Sequence, residues 1–229
     1  MERKNNLFFN LLKELHKEGI LNELILIGSW CHLFYRHYFN NAPEIPAVRT
    51  LDIDFLVPNP FRTKKEVNIP ALLKKLDFSP SSSYSTGYTK YVHPELELEF
   101  LTPELGKGRD KPYIINNLHI QAQGLRFLNF LQAHAIKINY ENIEVRVPEP
   151  SAYVLHKFII FERRVKKDKR ERDLESAREI GKFLLKDENQ KKKLKQLFDK
   201  MPKKWQNKIK SNLKENSAVL HEFLCKETS

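Results

Sequence analysis

Arg49-Thr50-Leu51-Asp52-Ile53-Asp54-Phe55-Leu56-Val57, followed by Pro58 and Pro60, reads as a strand. Side chains alternate along a strand, so Thr50, Asp52 and Asp54 share one face and Leu51, Ile53 and Phe55 share the other. One face is apolar and the other carries two carboxylates. Two carboxylates this close repel, and keeping both ionised in a cleft calls for a cation; oxygen ligands at strand spacing suit Mg²⁺ bridging to phosphate oxygens. The same tripeptide also fits a strand whose polar face stands in water. Arg49 is placed to meet a phosphate, to meet the carboxylates, or to be solvated.

Upstream, Leu24-Ile25-Leu26-Ile27 forms a short buried strand running into Gly28-Ser29, after which Trp30, Leu33 and Phe34 recur at helical spacing. This is strand, Gly-Ser, helix. Gly28 has no Cβ to block a close approach, and the first N–H groups of the helix lack intrahelical partners and carry the positive end of its dipole, which favours phosphate. Ser29 adds a hydroxyl donor there or caps the helix. Position 32 is His, so no capping box supports the cap. Downstream, Tyr88 to Val92 reads as a strand and His93-Pro94 as a turn. Glu95-Leu96-Glu97-Leu98-Glu99-Phe100-Leu101 then alternates, with three glutamates on one face. If this strand lies beside the Asp52 strand, one glutamate becomes a third carboxylate of the same cleft; on an edge, all three are surface charges.

The chain of 229 residues is long enough for one large domain or two modest ones. Its formal net charge is +11 with a pI near 9.5, compatible with a polyanionic partner. Cys31 and Cys225 have neither disulfide-framework nor zinc spacing. The first residues lack the apolar run of a signal peptide, and no window resembles a membrane span, so the expectation is a cytoplasmic protein with no membrane partner.

Leu7, Phe8, Leu11, Leu12 and Leu15 predict a helix over 4–17, stopped near Gly19, and Ile69, Leu72, Leu73 and Leu76 predict another over 68–77. Ser79 to Ser85 reads as a mobile Pro/Ser-rich loop and Gly106 to Pro112 as a charged one. Tyr113–Ile115 and Leu118–Gln123 read as extended, Leu125–Ile136 as helical and Ile143–Val147 as a strand. Pro150 opens a helix running to about 165, in which Lys157 is embedded; such a lysine snorkels or reaches into a site. A basic segment from Arg163 to Arg172 follows, and residues 188–226 are lysine-rich with apolar residues at helical spacing. The expected class is α/β (α+β): a mixed sheet flanked by helices over 1–148, then a helical region over 149–229.

Leu26-Ile27-Gly28-Ser29-Trp30, followed by Asp52-Ile53-Asp54 and a later acidic strand, resembles the signature of the DNA polymerase β-like nucleotidyltransferase superfamily. Glu99-Phe100-Leu101-Thr102-Pro103, then Gln121 to Leu131, Val147-Pro148-Glu149-Pro150, His156-Lys157 and Lys169 to Leu174, is similar to a family of bacterial and archaeal nucleotidyltransferases. The resemblance covers roughly residues 20–185. It implies that Gly28 and Ser29 hold a nucleoside triphosphate and that Asp52, Asp54 and Glu99 bind divalent metal. It implies Lys157 as a triphosphate contact and Asp173 as its supporting acid. This chain has Glu at position 99, where that family usually places Asp, and Glu97 on the same face is the alternative third carboxylate.

The expected activity is transfer of an NMP group from an NTP to an acceptor hydroxyl, with Mg²⁺ (or Mn²⁺) as cofactor and pyrophosphate as product. RNA or tRNA, a protein, or a small molecule would be the acceptor. The competing expectation is a non-catalytic nucleic-acid- or protein-binding module on the same fold, with salt-sensitive polyanion binding that needs neither aspartate. A role in a two-gene toxin–antitoxin system is a further expectation, since several relatives of this superfamily act so.

Overall fold

The computed structural model describes residues 2–47, 50–83, 87–108, 111–163 and 167–225. Arg49 therefore lies outside the described residues, as do parts of the Ser79–Ser85 loop, the Gly106–Pro112 loop and the Arg163–Arg172 segment. The chain divides into two compact units: Met1–Phe34 with Val48–Pro148, and Tyr35–Ala47 with Glu149–Ser229.

In the first unit, α1 (Glu2–Lys17) buries Phe8, Leu11, Leu12 and Leu15, the stripe that its spacing predicts. Gly19, at φ +65°, ends it. Then come β1 (Ile25–Ile27), a 3₁₀ turn over Gly28–Trp30, α2 (Cys31–Tyr38), whose residues from Tyr35 onward belong to the second unit, β2 (Asp52–Leu56) and α3 (Ile69–Lys75). Asn68 caps α3 by accepting the Ala71 N–H at 3.0 Å, and Pro70 stands in its first turn, where no intrahelical donor is lost. β3 (Ser79–Ser82), β4 (Thr89–Val92), β5 (Glu97–Pro103), β6 (Tyr113–Ile115), β7 (Ile120–Leu125), α4 (Leu128–Ala133), β8 (Ala135–Tyr140) and β9 (Ile143–Pro148) complete the unit.

The sheet runs β1-β2-β5-β4-β3. β2 and β5 are parallel neighbours, β1 is antiparallel to β2, and β4 is antiparallel to β5. Further along, β5 pairs in parallel with β7, which carries β6. Ile53, Phe55, Leu98 and Phe100 are fully buried, so the apolar face of the β2–β5 pair lies in the core. Its carboxylate-bearing positions are half-buried.

Three segments differ from their expected structure. Ser79–Ser82 is not loop but an edge strand, antiparallel to β4. Pro80 is tolerated there because an edge strand has one side free of ladder bonds. The helix expected over 125–136 shrinks to Leu128–Ala133, because Leu125 still belongs to β7 and Phe127 adopts φ +71°. Ala135–Tyr140 instead forms a hairpin with β9. Leu51, expected on the apolar face, precedes β2 and is half exposed.

The second unit is helical: α5 (Pro150–Ile160), α6 (Lys167–Leu184), α7 (Glu188–Asp199), α8 (Lys203–Asn216) and α9 (Ala218–Cys225). α5 is apolar almost all round and packs against α6, α7 and α8, as a central helix must. Glu149 caps it by accepting the Ser151 and Ala152 N–H groups at 2.8 and 3.2 Å. Burial nonetheless pushes the Glu149 carboxyl up from its ordinary value. Gly181 lets α6 approach α9, since a Cβ there would stand 2.6 Å from Leu220 Cδ1. Among the described residues no helix is long and apolar enough to cross a membrane.

Candidate active site

Antiparallel register between β1 and β2 sets Ile27 opposite Asp54, so the chain leaves β1 beside that carboxylate. Gly28 is required there twice over. Its φ is +77°, where a Cβ is strained, and a Cβ would lie 2.7 Å from Asp54 Oδ2. Helical structure opens as a 3₁₀ turn, with the Cys31 N–H reaching the Gly28 and Ser29 carbonyls. Ser29 does not cap it. Its hydroxyl instead lies 2.5 Å from Thr50 Oγ1, tying the Gly-Ser turn to the residue that leads into β2.

Parallel register between β2 and β5 sets Asp52 beside Glu97 and Asp54 beside Glu99. The glutamate strand is thus central rather than an edge, and the two acidic faces merge into one. Among the described residues, no three Asp, Glu, His or Cys side chains are grouped so as to hold a metal ion by themselves. The donors on this face are nevertheless all carboxylate oxygens. That chemistry fits Mg²⁺, which binds through one or two carboxylates together with substrate phosphates more often than in an all-protein cage.

The two glutamates differ in their neighbours. Glu97 Oε2 accepts from Lys90 Nζ at 2.5 Å, reached from the neighbouring strand β4. Glu99 neighbours Tyr88, which the sequence reading places at the start of a strand without giving its side chain a role and which stands just before β4. β5 points the Phe100 N–H and C=O away from β2, into the gap between its pairing with β4 and its pairing with β7. The phenol of Tyr88 fills that gap: it accepts the Phe100 N–H at 2.9 Å and donates to the Phe100 carbonyl at 3.1 Å. Burial first, then the negative charges of Glu99 and Asp54, push the Tyr88 hydroxyl far above its ordinary value, so it stays protonated. No periodicity marks Tyr88, because its role depends on where two other strands begin and end.

Lys157 and Asp173 belong to the second unit, on α5 and α6. Lys157 does not snorkel: it is 7% exposed, donates to Asp173 Oδ1 at 2.5 Å and lies 5.3 Å from the Tyr153 ring centroid. Taking a lysine out of water is costly, and the acidic partner one helix away offsets that cost.

A family profile described as nucleotidyltransferase matches residues 6–201, and the chain belongs to that family. Two solved structures resemble it. One is an antigenic nucleotidyltransferase-like protein from Paracoccidioides brasiliensis, 13% identical over 96% of this chain and 92% of that one, with a TM-score of 0.48. The other is the antibiotic-resistance factor ANT(2'')-Ia, 13% identical over 95% of this chain and 94% of that one, with a TM-score of 0.46. A search of curated proteins gave no match.

Proposed function

We propose that this nucleotidyltransferase is metal-dependent and transfers an NMP group from an NTP to an acceptor hydroxyl. The observation that carries the reading is the Asp54–Glu99 pair on neighbouring parallel strands, with the Gly28 turn against Asp54. In this reading Asp52, Asp54 and Glu99 hold Mg²⁺ or Mn²⁺. The metal supplies Lewis-acid stabilisation of charge on the transferring phosphoryl group. The turn at Gly28 and Ser29 binds phosphate oxygens through backbone N–H groups and the Ser29 hydroxyl.

The acceptor oxygen bonds to the α-phosphorus, the bond from that phosphorus to the α–β bridging oxygen breaks, and the electron pair leaves with pyrophosphate. Glu99 is the proposed base for the acceptor proton. The roles proposed for Lys157 and Asp173 as nucleotide contacts rest on the family resemblance. Most of the excess positive charge belongs to residues 149–229, which supports an anionic acceptor such as RNA or tRNA over an uncharged small molecule.

Calorimetric titration with each of the four NTPs, with and without Mg²⁺ or Mn²⁺, tests the site. The expected result is metal-dependent binding of at least one NTP, lost in Asp52→Ala and Asp54→Ala variants that melt as the parent does. Binding that survives both substitutions overturns the site assignment. Absence of NTP binding with either metal overturns the catalytic reading in favour of a binding module.

A further inference from the structure

Lys4 is a basic side chain with no part in the site as described so far. It stands on the first turn of α1, four residues before Phe8, so the two share a face of the helix. That face is clamped to the Gly-Ser turn. Phe8 stacks on Trp30 with ring centroids 4.0 Å apart, and Lys4 Nζ lies 5.4 Å from the centroid of the same indole. Trp30 is the residue after Ser29 and is fully buried, so α1 has little freedom to move off the turn. The Lys4 ammonium donates to the Thr50 carbonyl, while the Thr50 hydroxyl holds Ser29. Lys4 is thus tied to both chain segments that frame the Asp52 and Asp54 face.

Its electrostatic setting is informative. Partial burial lowers the Lys4 ammonium from its ordinary value, while the charges of Asp52 and Glu95 pull it back up. An ammonium has three donors, and among the described residues Lys4 has one hydrogen-bond acceptor, the Thr50 carbonyl. Two donors on a partly desolvated cation therefore remain near a turn whose glycine admits the close approach of the Asp54 carboxylate. A lysine in that position acts as a point charge toward phosphate oxygens.

We propose that Lys4 is a triphosphate-binding residue of this site, contacting the β- or γ-phosphate from α1 while Ser29 and the turn hold the same group from the other side. The proposal rests on the assignment of the Gly28, Asp52 and Asp54 face as an NTP site. It adds a cation from the start of the chain, 25 residues before Ser29 in sequence.

Lys4→Gln keeps a donor for the Thr50 carbonyl and removes the charge; Lys4→Ala removes both. Calorimetry on the full chain, with each NTP and the corresponding NMP in the presence of Mg²⁺, separates the outcomes. For both variants we expect NTP affinity to fall about tenfold to a hundredfold, the range for hydrogen bonds to charged groups. NMP affinity and melting temperature should stay at the parent values for Lys4→Gln. Unchanged NTP affinity in Lys4→Gln overturns the proposal, as does an equal loss of NTP and NMP affinity. If the parent binds NTP and Asp54→Ala abolishes it while Lys4→Gln does not, the site stands and only the role of Lys4 falls. If the parent binds no NTP, the site assignment itself falls and takes Lys4 with it.

Discussion

Asp52 stands beside Glu97 and Asp54 beside Glu99 on the same pair of parallel strands, yet the two rungs have different surroundings. Around the first rung the protein supplies cations: Lys90 meets Glu97 at 2.5 Å, and Lys4 lies in the field of Asp52. Around the second it supplies a glycine backbone on one side and a protonated, buried phenol on the other. The second rung is thus packed against a close-set turn on one side and a neutral phenol on the other. In the first, Glu97 is ion-paired to Lys90 and Asp52 acts on Lys4. The sequence motif, Asp-x-Asp followed by Glu-x-Glu, treats the two rungs as equivalent; the register and the neighbours separate them.

The largest effect should come from Glu99→Gln, which keeps the shape of the second rung and removes its charge. Pyrophosphate release should fall about a hundredfold or more if Glu99 holds metal or takes the acceptor proton. Thermal denaturation should show no loss of stability. A rate within about threefold of the parent, the scale of a group outside the chemistry, would make Glu99 a bystander and reopen the third-carboxylate assignment.

Tyr88→Phe probes the wall rather than the charge. Losing the phenol oxygen leaves the buried Phe100 N–H and carbonyl without their partner in the gap between β4 and β7, which costs about 1–3 kcal/mol of stability. Urea unfolding measures this directly. The pH dependence follows from the raised tyrosine value: the unfolded chain loses this proton near pH 10 and the folded chain does not. The contribution of Tyr88 to stability is therefore complete below about pH 10 and declines as pH rises beyond it. The variant should lose part of that alkaline slope; an identical slope would place the Tyr88 hydroxyl in water.

What the sequence made legible follows the physics of each signal. The acidic strands were readable because alternation with period two is local, and the Gly-Ser turn because a buried strand running into glycine and then into helical spacing is local too. β3 gave no such signal, since Ser79-Pro80-Ser81-Ser82 has no apolar face and its strand character comes from pairing with β4. The start of β8 was hidden by the helical spacing read over 125–136, and its strand character comes from pairing with β9. The roles of Lys4 and Tyr88 stayed invisible for the same reason. Each earns its place through a partner 46 or 12 residues away, and no spacing rule reaches that far.

The smallest effect should come from Glu97→Gln, and it bears most directly on the difference between the rungs. Glu97 and Lys90 are each about one-third exposed, so solvent screens their ion pair and its loss should cost less than about 1 kcal/mol. Glu97 carries the same carboxylate as Glu99, on the same face, two residues earlier on the same strand. If a carboxylate on β5 were sufficient for function, the two substitutions would act alike. If position relative to Gly28 and Tyr88 decides, Glu97→Gln should turn over within about twofold of the parent, as expected of a group outside the chemistry. A rate for Glu97→Gln as low as that of Glu99→Gln would place Glu97 among the metal ligands, with Lys90 then acting as a stand-in cation that the metal displaces. Lys90→Met by itself separates these cases, because a lysine that the metal displaces lowers apparent metal affinity, and its removal should raise that affinity only if Glu97 binds metal.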